Sequence, residues 1–274
     1  MNEAKPVVTS TMSAQSWAGL LDVIESFRRA PLWFALGWHD FAGHYDRTRI
    51  GPFWTTLGVG VWVAGLGVIF GSLLQHGSGD FPAYLASGVV LWNFLSNTLS
   101  ASANVFVRNS AMIFSINNPL YTYVLRQVVE HSSKSLFQVI VFVAVLPFSQ
   151  VHYGRVMLMA LPGMAIVLLT ALWVVPLMGM LGARFRDLPF ALNSIMRFLF
   201  FTTPVFWKPE GLGERAYLAE INPFTHFLEV VRAPLLGNWP SVTSWIVVLS
   251  ISIPGLMLTV LLYNRFRREI VFWL

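Results

Sequence analysis

The chain contains no cysteine, and only 11% of its 274 residues are charged. Without cysteine there is no disulfide scaffold and no thiolate metal site. A soluble domain carries roughly 25% charged residues. A chain with less than half of that, and 55% hydrophobic residues, cannot cover itself with a polar surface. Disorder is excluded as well, because disordered chains are poor in aromatics, and this one holds 22 Phe, 11 Trp and 7 Tyr.

Catalytic signatures are missing too. No G-x-x-x-x-G-K-[ST] phosphate loop, no H-E-x-x-H and no G-x-S-x-G elbow occurs. His39 and His44, five residues apart, fall on different helix faces, so no metal site is read there. Acidic residues lie almost wholly outside the apolar runs, which argues against a proton relay. The residues therefore specify a polytopic membrane protein in which no catalytic, nucleotide or metal signature is read. An enzyme would need a convergent carboxylate or histidine at a membrane face, so neither enzymatic activity nor a cofactor of its own is expected of this chain.

A spanning helix needs about 20 mostly apolar residues. Uncharged stretches place spans near 53–74, 83–107, 132–150, 156–182 and 242–263, and a sixth near 188–207 contains Arg197. The runs are too long and too continuously apolar for barrel strands. The expected fold is thus all-α: residues 1–50 form a cytoplasmic tail with an interfacial amphipathic helix, and 51–274 form one six-helix transmembrane domain. Residues 1–20 lack a basic start followed by an apolar run, so no cleavable signal peptide is expected.

Charge sets the orientation. Thirteen cations lie before the first span (Lys5, Arg28, Arg29, Arg47, Arg49), between the second and third (Arg108, Arg126, Lys134), after the fourth (Arg184, Arg186) and after the sixth (Arg265, Arg267, Arg268). Only Arg155, Lys208, Arg215 and Arg232 fall on the other side. Both termini are therefore expected in the cytoplasm. The basic balance is a topology signal, and no base-stacking module accompanies it, so no nucleic acid is expected as a partner.

Three connections stand out. In 17–50, Trp17, Leu20, Leu21, Ile24 and Phe27 recur at helical spacing with Asp22, Glu25, Arg28 and Arg29 between them, as in a helix lying in the membrane interface. In the second-to-third connection, Met112, Ile113 and Ile116 fit one face of a short helix stopped by Asn117, Asn118 and Pro119. This reads either as an apolar knob for a partner protein or as an ordinary turn. The segment 204–241 holds five prolines and many apolar residues, which fits short helices dipping back into the outer leaflet. Arg126, Glu130 and Lys134, at i, i+4 spacing, read as a self-neutralising stripe. Gly67 and Gly71 permit close helix packing. Arg197 lies roughly 15 Å into its span at 1.5 Å per residue. It either binds an anionic group or snorkels and pairs with a neighbour such as Asn193.

Two stretches carry a resemblance. His44-Tyr-Asp-Arg-Thr-Arg-Ile-Gly-Pro-Phe-Trp54, with Arg47, Gly51, Pro52 and Trp54, is similar to the R-Y-[RK]-x-[ST]-x-L-G-P-x-W lead into the first span of permease subunits of ABC polysaccharide exporters. The histidine and Asp46 depart from that charge pattern. Downstream, Arg184, Asp187, Pro204, Val205, Asn222, Pro223 and Arg232, followed by Leu235-Leu236-Gly237, resemble the same family's R-[FY]-R-D … P-V … N-P … R … L-L-x-G series. The match is collinear over almost the whole chain.

The resemblance implies a half-transporter in a bacterial cytoplasmic membrane. Two copies would pair, with two separate cytoplasmic ABC ATPases binding ATP and Mg. Asn109, Met112, Ile113, Ile116, Asn117, Asn118 and Pro119 would be the ATPase-coupling segment, and 204–240 the outer gate. The substrate would be a lipid-linked polysaccharide such as an O-antigen of lipopolysaccharide, a capsule or a teichoic acid. Sugar rings stack on aromatic faces, which makes Trp62, Trp92, Phe94, Phe200 and Phe201, with Arg197, candidates for the substrate path. A permease of the same architecture exporting a drug or other small lipophile remains the alternative.

Overall fold

The computed structural model describes residues 18–73, 79–151 and 154–274. Lys5 and Trp17, and Leu74 at the end of the first expected span, lie outside the described residues. Among the described residues the chain is helical throughout, with no strand. That is what lipid demands, since every backbone N–H and C=O must be satisfied within its own segment.

Two helices precede the first long one: α1 (Ala18–Arg28) and α2 (Ala30–Gly43), the second with Pro31 in its first turn. On α1, Leu21, Ile24 and Phe27 are exposed, as an interfacial helix requires. The chain then turns at Gly51, whose φ of 59° is in the left-handed region. That conformation is open to glycine and strained for a β-carbon. The Thr48 hydroxyl accepts from the Gly51 N–H (3.1 Å), and the turn delivers Pro52 and Trp54 into the first long helix.

The long helices are α3 (Phe53–Leu73), α4 (Phe81–Ser102), α7 (Tyr121–Val145), α8 (Ala160–Arg184) and α12 (Val242–Trp273). Short α5 (Val105–Arg108) and α6 (Ser110–Ser115) join α4 to α7. Among the described residues, four helices are long and apolar enough to cross a bilayer: α3, α7, α8 and α12, with the short 3-10 turns that extend α7 and α8. Helix α4 is as long as α3 but carries Asn93, Ser96, Asn97 and Ser100, which lower its hydropathy. Helix α9 (Leu188–Thr202) has 15 residues, about 22 Å, and ends where Thr203 becomes extended, five residues before the end expected from sequence.

The start of α7 also differs from the sequence expectation. Its helix begins at Tyr121, so Arg126, Glu130 and Lys134 lie within it and not ahead of it. They do not form a self-contained stripe. Arg126 makes a bidentate pair with Asp40 of α2 (2.5 and 2.6 Å), while Glu130 takes Lys134 (2.6 Å) and Arg108 of α5 (3.0 Å). Burial of Glu130, 2% exposed at its side chain, makes two cationic partners necessary.

Helix α8 is central and packs against α12, α11, α4 and α7. The approach is closest at Gly182, where an added methyl would overlap the Ala103 carbonyl oxygen just past α4. Gly67 and Gly71 face α4 only at ordinary contact distance, 3.8–3.9 Å from Leu85 and Phe81 for an added methyl, so that pair makes no tight crossing. Between α9 and α12 run a 3-10 segment (Pro209–Arg215), α10 (Tyr217–Ile221) and α11 (Pro223–Leu235). Asn222 caps α11 by accepting from the Phe224 N–H (3.0 Å), and Pro223 occupies its first turn. Leu228, Val230 and Val231 of α11 are fully buried, whereas Tyr217, Leu218 and Ile221 of α10 are exposed.

Candidate functional site

A groove of about 510 Å³ lies between α3, α4 and α9. Helix periodicity builds it. Asn93, Ser96, Asn97 and Ser100 recur at i, i+3, i+4 and i+7 and so share one face of α4. Asn193, Met196, Arg197 and Phe200 do the same on α9, and Trp62 of α3, Trp92 and Phe201 complete the wall. The Arg197 Nε donates to the Asn193 carbonyl (3.3 Å), and the exposed Arg197 side chain lines the groove. The Asn193 side chain itself donates to the Pro189 carbonyl (2.9 Å), so the bond between these two residues runs through the backbone.

The aromatic wall is ordered. Trp92 is 4% exposed, held edge-on to Phe224 (5.6 Å) and tilted against Phe200 (5.9 Å), and Phe200 meets Phe201 edge-on (5.4 Å). Trp62 and Phe201 are 53% and 66% exposed, so the groove is open on one side. It can offer ring faces to C–H surfaces, amides and hydroxyls to hydroxyl groups, and one guanidinium to an anion.

Five of the six residues expected on a substrate path thus converge. Phe94 does not. It sits on another face of α4 and lines a separate apolar cavity of about 250 Å³ with Thr98, Trp173 and Phe227. The α4 amides and hydroxyls were missed from sequence, although their helical spacing inside an apolar run was a usable signal.

A second constellation lies at the α5–α7 connection. Helix α6 ends at Ser115, Ile116 is extended, and Asn117, Asn118 and Pro119 follow, as the stop signals require. Met112 and Ile113 pack inward, while Phe114 and Ile116 are 61% and 47% exposed. The exposed knob is therefore Phe114 with Ile116, and not the face of Met112, Ile113 and Ile116 expected from sequence. Asn109 is buried and donates to the Val105 carbonyl (2.7 Å).

The segment is tied at three points. Arg29 donates to the Asn118 side chain (3.0 Å). Arg126, paired with Asp40, donates to the Met112 sulfur (3.1 Å). Asp22, its side chain fully buried, accepts from the N–H groups of Leu120 (3.2 Å) and Tyr121 (3.0 Å), from the Tyr263 hydroxyl (2.6 Å) and from Arg267 (2.5 Å). One carboxylate thus joins α1, the start of α7 and the end of α12.

Of the remaining motif residues, Pro204, Asn222 and Arg232 meet away from this segment, where α4, α11 and the turn after α9 come together. Arg232, 6% exposed, donates to the Pro204 carbonyl (2.6 Å), which also accepts from the Tyr84 hydroxyl (3.0 Å). Asn222 donates to the Thr203 hydroxyl (2.9 Å). Arg184 lies 5.7 Å from the Trp273 ring centroid. Arg47 and Asp187 are exposed.

A family model described as ABC-2 type transporter matches residues 31–236. No curated protein matches the chain significantly.

Proposed function

The chain belongs to the ABC-2 type transporter family, whose ATPase is a separate subunit, and from that premise we propose that this membrane permease exports a lipid-linked polysaccharide. The groove between α3, α4 and α9 is the observation that carries the reading. A path for a small lipophile needs only apolar walls. Here Asn93 donates to the Gln138 side chain (3.3 Å), but Ser96, Asn97 and Ser100 would stand unpaired beside such a cargo, at a cost for each unsatisfied polar group. A glycan satisfies both halves of the wall, its hydroxyls on the amides and its C–H faces on Trp62, Phe200 and Phe201. Arg197 takes the phosphate that links glycan to lipid.

In this reading α4 and α9 join α3, α7, α8 and α12 as spans, six in all, with both termini in the cytoplasm of a bacterium. Two copies pair and close the groove's exposed side. The segment 204–240 folds back from outside as the gate, supported by the burial of α11. The segment 109–119 meets the ATPase, in which ATP and Mg bind. The ties from Arg29, Arg126 and the buried Asp22 support its use as a rigid lever.

The test is a deletion of the chain in its host. Lipid-linked glycan should accumulate on the cytoplasmic face and return to the surface on complementation. Normal surface glycan with a trapped lipophilic compound would favour drug export.

A further inference from the structure

Helix α12 has 32 residues, about 48 Å at 1.5 Å per residue, while the hydrocarbon core is about 30 Å thick. Its apolar run ends at Arg265, Arg267 and Arg268, so the last two turns project beyond the membrane. After Arg268 and Glu269 they nevertheless close on an apolar run, Ile270-Val271-Phe272-Trp273. Ile270 is buried, but Phe272 is 86% exposed.

This end of the helix is fixed. Arg186, from the α8–α9 connection, donates to the carbonyls of Trp273 (3.0 Å) and Leu274 (3.1 Å). The Trp273 ring lies against Phe266 (5.9 Å) and beneath Arg184 (5.7 Å). With Trp273 held inward, Phe272 points out, on a surface beyond the lipid.

A cleft of about 420 Å³ separates this turn from the coupling segment. Ile116, Asn117 and Asn118 line one wall, and Arg268, Val271 and Phe272 line the other. Arg267 at its base is neutralised by Asp22, whereas Arg268 is exposed. Residues 109–120 contain no acid. Ile116, Val271 and Phe272 thus give the cleft apolar patches, Asn117 and Asn118 add amides, and Arg268 gives it a cationic rim.

We infer that the end of α12 is the second half of the ATPase docking surface. It and the coupling segment clasp an apolar side chain of the ATPase, and a carboxylate beside that side chain pairs with Arg268. Continuity supports this occupant, since one wall of the cleft is the coupling segment itself. The inference rests on the reading of 109–119 as that segment.

The experiment uses the full permease coexpressed with its ABC ATPase and purified through a tag on the permease. Arg268→Glu and Phe272→Asp should each weaken ATPase retention about tenfold, the size of a moderate hot-spot loss. Phe272→Leu should retain it. The exposure of Phe272 makes misfolding from these changes avoidable, and size-exclusion profiles matching the parent chain confirm that. Retention within about twofold of the parent for both charge variants overturns the inference. If Ile116→Asp loses the ATPase while those variants keep it, the cleft is excluded and the coupling segment stands. If Ile116→Asp also keeps it, the coupling reading itself falls. If Arg268→Glu instead lowers binding only to vesicles containing phosphatidylglycerol, the cleft holds a lipid headgroup and the inference is wrong.

Discussion

The guanidinium of Arg232 lies 3.9 Å from the centroid of the Tyr84 ring, and both side chains donate to the Pro204 carbonyl. The pairing joins α4, the turn after α9 and α11 through one oxygen. The Tyr84 hydroxyl also donates to the Trp207 carbonyl (2.8 Å). A turn that cannot satisfy its own carbonyls at this depth is thereby satisfied by side chains. We predict that Arg232→Ala lowers stability by about 1–3 kcal/mol, through the lost charged hydrogen bond and cation–π contact. Thermal unfolding in detergent measures this, with Tyr84→Phe as the milder companion.

Among the described residues Asp22 is the most heavily shared side-chain acceptor, with four donors. Replacing it with Ala leaves Arg267, Tyr263 and two backbone N–H groups facing a buried gap. Removing one member of a buried ion pair costs about 3–5 kcal/mol. Asp22→Ala is therefore expected to unfold at lower temperature, while Asp22→Asn keeps one acceptor and folds. The Asn variant should hydrolyse ATP with the partner subunit yet move less cargo per ATP, because the lever between α1 and α7 is loosened. Unchanged transport per ATP in Asp22→Asn removes the residue from coupling.

These two relationships mark what the sequence could and could not reveal. The apolar runs announced the long helices, because lipid leaves no other backbone solution. The stop at Asn117, Asn118 and Pro119 and the convergence of Trp62, Trp92, Arg197, Phe200 and Phe201 were also legible. The burial of Asp22 was not, since its partners lie 98 and 241 residues away and its neighbours on α1 look like a solvated face. Phe94 was assigned to the path on residue type alone. In a continuously apolar helix, lipid and protein are equally apolar neighbours, so hydropathy does not say which face meets which. The start of α7 was missed because Arg126 and Glu130, read as part of an interfacial stripe ahead of the span, belong to the long helix and pair with α2 and α5.

Glu229 gives the opposite face a pH signature. Burial raises its pKa, but hydrogen bonds from the Ser244 hydroxyl (2.7 Å) and the Ser241 N–H (3.1 Å) outweigh burial and hold the carboxyl below its ordinary 4.5. A carboxyl depressed in the folded state contributes stability that is present above its ordinary pKa and is lost as the pH falls through the folded value. Thermal stability should therefore decline as the pH drops below about 4.5, and Glu229→Gln should flatten that part of the profile. An identical decline in both proteins would assign the effect to other carboxyls.

The groove's polar face is tested by shortening it. Asn97→Leu and Ser100→Ala keep α4 helical and make the wall more apolar, in line with its lipid surroundings. Folding and ATPase binding should be retained, while glycan export falls roughly tenfold, as when a site loses a hydrogen bond to its ligand. Surface glycan measured against ATPase recovered in the same membranes separates the two effects.

Transport by the reconstituted complex addresses the central claim most directly. Permease and ATPase are placed in proteoliposomes with lipid-linked glycan on the ATP-accessible side, and glycan reaching the other side is measured with and without ATP. The account predicts ATP-dependent movement of the glycan, reduced at least about tenfold by Arg197→Glu, since reversing a charge that faces a phosphate turns attraction into repulsion. Transport of a small lipophile in place of the glycan, unaffected by Arg197→Glu, would contradict it.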